Sequence, residues 1–72
     1  MTAETLLTAH QMQDMLIECR SSVKFDLNQM EMLAIKPAAS KTTQAIADSE
    51  ANRLRLLLDR IDAIADCVRE AL

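Results

Sequence analysis

The sequence predicts an all-α fold: an antiparallel two-helix hairpin, dimerising into a four-helix bundle. Three observations carry that expectation. The 72 residues include no glycine and one proline and are rich in Ala, Leu, Met, Glu, Gln and Arg, the side chains that lose least on entering a helix. Apolar residues recur in alternating steps of three and four through both halves, the period that holds one stripe of a helix against a neighbour. The halves part at Lys36-Pro37, because proline lacks an amide donor and disfavours α conformation in the residue before it.

The first helix is expected from about residue 2 to about residue 35, with Thr2 as N-cap and Glu4 favoured by the positive helix end. Its seam reads Ala9, Met12, Leu16, Cys19, Val23, Asp26, Met30 and Leu33, a coiled-coil period with one acidic interruption. A turn follows over about 36–41, and the next helix opens either at Pro37 or under a cap from Ser40, Thr42 or Thr43.

The second helix, about 42–72, carries three apolar columns: Ala47, Leu54, Ile61 and Val68; Leu57, Ile64 and Ala71; Ala51, Leu58, Ala65 and Leu72. A simple seam needs two columns, so three suit a helix that touches two neighbours, as in a bundle of two hairpins. Leu16, Val23, Leu54, Leu57, Ile61 and Ile64 are the expected hairpin and dimer core. The polar column Asp48, Arg55, Asp62 and Arg69, with Arg55 and Asp59 spaced to pair, reads as a solvated face.

A chain of 72 residues is at most one domain, here 1–72, and is short of the core that offsets the entropy of ordering it. Disulfides, a metal or a second chain are the usual remedies. In a hairpin turning near residue 38, facing residues have numbers summing to about 76, so Cys19 stands roughly 15 Å from Cys67 and the thiols are expected to stay reduced. Cys19 falls on the apolar seam, where cysteine packs as a small hydrophobe, and Cys67 falls at its edge. A homo-oligomer, a dimer first of all, is the expected remedy.

Several function classes lack material. The net charge is −3 and there is no Trp or Tyr, which disfavours phosphate contact and base stacking. No run approaches the about 20 apolar residues of a membrane span, and Met1-Thr2-Ala3-Glu4 has no basic stretch leading into an apolar core, so a cytoplasmic protein is expected. Without glycine there is no phosphate-cradling loop, and no cofactor is expected. His10 and Asp14 stand four apart with Glu18 a turn further and Cys67 near that end of the hairpin, a spacing that can hold a divalent cation. The same residues are ordinary on the polar side of an amphipathic helix, which is the reading adopted, with neither metal nor catalytic residues assigned.

The informative residues are apolar or acidic ones that the seam does not use. Asp26 and Glu50 fall at one level and repel unless Arg53 or Lys24 neutralises them; they set register or meet a partner's basic group. Near the turn, Phe25, Met30, Met32, Leu33 and Ile35 meet mostly Ala38, Ala39, Ala45, Ile46, Ala47 and Ala51, so bulk exceeds what the small side can cover. Phe25 and Met32, seven apart, form with Ile17 a second apolar strip, and methionine-rich helix faces adapt to varied partners.

The expected function is a non-enzymatic protein–protein interaction module: a small regulator, adaptor, chaperone or inhibitor that binds another protein through Ile17, Phe25, Asp26, Met30 and Met32. One alternative is a hairpin-dimer regulator associated with nucleic acid, which would need Arg53, Arg55, Arg60, Lys36 and Lys41 on one face although their helical positions scatter them. Another is a purely structural oligomerisation module.

Overall fold

The computed structural model describes residues 3–72, with side chains from Thr8 onward. Two α-helices, α1 (Ala3–Ala34) and α2 (Lys41–Glu70), pack against each other as an antiparallel hairpin measuring 55 × 15 × 11 Å. No strand occurs among the described residues. The expected Thr2 cap lies outside them.

The turn is built without any residue at positive φ. Lys36 N–H donates to the Leu33 carbonyl at 3.3 Å, and the Lys36 carbonyl accepts from Ala39 N–H at 3.1 Å. The Gln44 side chain reaches back to the same Lys36 carbonyl at 2.7 Å, tying the first turn of α2 to the end of α1. Of the candidate caps, Ser40 takes the position: its backbone is extended (φ −64°, ψ 158°), and its Oγ accepts from Thr43 N–H at 3.1 Å while donating to Thr43 Oγ1 at 2.9 Å. One donor that the helix start leaves unpaired is satisfied in this way.

In α2 the buried residues are Ala47, Ala51, Leu54, Ile61 and Val68, the first apolar column together with Ala51 of the third. Ala47 and Ala51 are each only 1% exposed; side chains this small let α1 approach closely near the turn. The core centres on Leu27, Ala51 and Leu54, with Val23, Met30, Leu57 and Leu58 packed around it.

Here α1 departs from the expected seam. Ala9, Leu16, Val23 and Met30 do face α2, but the residues alternating with them are Gln13, Arg20, Leu27 and Ala34, each four positions on, rather than Met12, Cys19, Asp26 and Leu33, each three on. Leu27 is buried, whereas Asp26 and Cys19 are exposed. The seam therefore has no acidic interruption, and Cys19 is not a core residue. With α1 turned this way, Arg20 and Glu31 meet Asp62 and Arg55, which line one side of the α2 stripe.

Candidate functional site

The two edges of the hairpin, where the helices meet solvent side by side, differ in kind. One edge is ionic. Arg20 Nε donates to Asp62 Oδ1 at 2.9 Å, and Arg55 lies 3.6 Å from Glu31. The column Asp48, Arg55, Asp62 and Arg69 is thus not merely a solvated face. Two of its members cross to α1, and Arg55 takes Glu31 and the Asn52 side chain rather than Asp59. Arg69 instead pairs within its helix with Asp66. A shallow groove between Leu16, Ile17, Arg20, Ile61, Asp62 and Ala65 runs along this edge.

The other edge is apolar towards the open end of the hairpin. An open groove of about 600 Å³ is lined there by Ala9, Met12, Ile64, Cys67, Val68 and Ala71, together with Thr8. Met12 is 44% exposed and Ile64 is 47% exposed. Seven-residue steps place Cys19, Asp26 and Leu33 in the column of Met12, and Glu50 and Leu57 in the column of Ile64. The Asp26 side chain makes no hydrogen bond or ion pair among the described residues, whereas Glu50 is gripped by Arg53 through Nε at 3.0–3.1 Å and through Nη2. That pairing holds the Glu50 carboxyl below its ordinary value, mainly through the Arg53 hydrogen bond, and raises Arg53 in turn.

The third surface is the outer face of α1. Phe25 and Met32 project on the side turned away from α2, 63% and 66% exposed. Met32 forms the ridge between two grooves near the turn, one bounded by Met30, Leu33, Ile35 and Pro37 and the other by Glu31, Ala34, Asp48 and Arg55. Ile35 and Ile46 extend the exposed apolar surface around this end.

The residues singled out from the sequence distribute as follows. Phe25 and Met32 share the outer face; Ile17, 59% exposed, stands apart on the ionic edge. Asp26 belongs to the apolar edge, and Met30 packs against the core. Of the expected core, Leu54 and Ile61 are buried, Leu16, Val23 and Leu57 are half-buried, and Ile64 is open to solvent. Leu27 was missed, and the signal that could have found it was its place four residues after Val23 and three before Met30.

Both thiols are free and exposed. Among the described residues no three of His, Cys, Asp or Glu are grouped closely enough to hold a metal ion, and no helix is long and apolar enough to cross a membrane. Of the five bases considered for polynucleotide contact, Arg53 and Arg55 are already engaged by carboxylates. No family model, curated protein or solved structure matches the chain.

Proposed function

We propose that the chain is a non-enzymatic protein–protein interaction module, a hairpin that pairs with a second copy to form a four-helix bundle and offers the outer face of α1 to another protein. The supporting observation is surface in excess. The hairpin exposes 5467 Å², whereas a compact monomer of 8.0 kDa is expected to expose about 4,450 Å². The surplus, about 1,000 Å², is of the size that one partner loses in a stable interface, about 800 Å². It is rich in large apolar side chains: Met15, Phe25, Met32, Ile35, Ile46 and Leu56 are all more than 60% exposed. Large apolar side chains exposed in this number on an elongated hairpin support association as the reading of that surplus.

Phe25 and Met32 have the character of a contact centre for a foreign protein, an aromatic anchor beside an adaptable thioether. They lie opposite the hairpin seam, so pairing of hairpins edge to edge leaves them open. Light scattering at micromolar concentration tests the first part, with a mass of twice the chain expected and a monomer refuting it. Phe25→Ala and Met32→Ala test the second: loss of partner binding by an intact oligomer is the expected result. A broken oligomer would instead assign both residues to self-association.

A further inference from the structure

We infer that the apolar edge carrying Met12, Leu57 and Ile64 is the face that receives the second copy, and that the two copies lie side by side with their turns at the same end. The inference rests on the proposed self-association and adds to it the face used and the direction of the two-fold axis.

The two edges are unequal candidates. Cross-helix ion pairs, Arg20–Asp62 and Arg55–Glu31, occupy the ionic edge, and covering it would strip water from four charges whose mutual pairing only partly offsets that cost. The opposite edge has no cross-helix ion pair among the described residues and holds the open groove between Met12 and Ile64. Its covering removes apolar area from water.

The direction follows from where the charges on that edge fall. Leu27 packs on Ala51 and Leu54, so Arg53 stands level with Asp26, nearer the turn than the hairpin's midpoint. Two closed arrangements are possible for edges packed face to face. If the two-fold axis crosses the hairpin, one copy is reversed end for end, and the level of Asp26 and Arg53 meets the level of Met12 and Ile64. The Asp26 carboxylate, without a partner of its own, would then be buried against apolar side chains, and the Arg53–Glu50 pair would lose water without gaining a further partner. If the axis runs along the hairpin, every level meets itself and α1 faces α2 of the other copy. Met12 and Ile64 then join across the axis, and Asp26 comes opposite Arg53 of the partner subunit.

The hydrogen-bond inventory fits the second arrangement. The Asp26 carboxylate has no partner among the described residues. Arg53 uses Nε and Nη2 on Glu50, and a guanidinium has five N–H donors, so Nη1 remains to receive a second carboxylate. One arginine between Glu50 of its own helix and Asp26 of the other copy resolves the excess of acids at that level twice per dimer. The same pairing is absent from the reversed arrangement, which gives the dimer a preferred direction.

The test uses the full chain with Cys19→Ser, Cys67→Ser and Ala38→Cys, spin-labelled at the turn, after light scattering has established the mass. Turns at the same end place the labels about 20–30 Å apart, given neighbouring helices about 8–10 Å apart and two label arms. Turns at opposite ends separate them by a distance near the 55 Å length of the hairpin. In the unlabelled chain, Asp26→Arg faces a like charge and should raise the dimer dissociation constant about tenfold with helicity unchanged. The short distance supports the arrangement. A separation near the full length, or a dimer constant unmoved by Asp26→Arg, overturns it while leaving self-association standing; a monomeric parent overturns both.

Discussion

Arg20 on α1 and Asp62 on α2 lie 42 positions apart in the chain and meet through Nε and Oδ1 at 2.9 Å. The arginine stands beside the seam, four residues after Leu16, and its guanidinium reaches the acid at the edge. The contact is consistent with the observed register and rotation of α1 but adds little to the packing that sets them. Each partner is about half exposed, so the pair itself is worth about 0.2–1 kcal/mol. A double-mutant cycle on Arg20→Ala and Asp62→Ala, read by urea denaturation, should return a coupling in that range that shrinks as salt is added.

The core prediction separates neighbours in sequence. Leu27→Ala and Ile61→Ala remove buried side chains and should each cost about 2–4 kcal/mol, since the surrounding helices close only part of the cavity. Asn28→Ala, one residue along and exposed, should stay within about 0.5 kcal/mol. Because self-association would add to apparent stability, all three belong at one fixed protein concentration.

Glu50 gives a pH prediction with a definite sign. Its carboxyl is held below its ordinary value, chiefly by the hydrogen bond from Arg53, so the folded state favours the charged form more than the unfolded state does. The stabilisation is complete above the unfolded value and is lost as pH falls through the lower folded value. A carboxyl-carbon NMR titration should find Glu50 below the usual glutamate range, and Arg53→Ala should return it there. An unshifted Glu50 in the native chain would remove the pairing.

At the start of α2, Ser40→Ala deletes the hydroxyl that receives Thr43 N–H. The expected loss is about 1 kcal/mol, with Ser40→Asp or Ser40→Asn close to neutral because each restores an acceptor. Thermal denaturation monitored by circular dichroism is sufficient to see it.

The helical hairpin and the stripe of α2 were legible in the sequence because Ala47, Leu54, Ile61 and Val68 repeat at seven and no polar residue competes for their column. In α1 the same reasoning had two answers. Ala9, Leu16, Val23 and Met30 are common to both, but Met12, Cys19 and Leu33 on one side are more apolar than Gln13 and Arg20 on the other. Counting apolar residues therefore favoured the wrong side. The burial of Leu27 and the exposure of Asp26 depend on what α2 presents, its acidic and basic column on one flank and its column of Leu57, Ile64 and Ala71 on the other. One helix read alone carries no information about that. The outer position of Phe25 and Met32 was legible, since they lie on neither alternative seam. Ile17 stands one column round from them on the same helix, and which edge of the hairpin that column meets depends on how α1 is turned against α2.

The turn has a kinetic consequence. The Lys36 carbonyl gathers Ala39 N–H and the Gln44 side chain within nine residues, and Ser40 starts α2 in the same stretch. Closing a loop this short costs little chain entropy, and the cost grows only with the logarithm of its length. Contact between Ala34 and the buried Ala47 and Ala51 comes next, then Leu27 with Leu54, then Leu16 with Ile61, each step enclosing chain that the previous step has already ordered. Closure from the bend outward is the order of least chain-entropy cost, and a hairpin whose contacts nearest the bend are the most local is expected to fold fast.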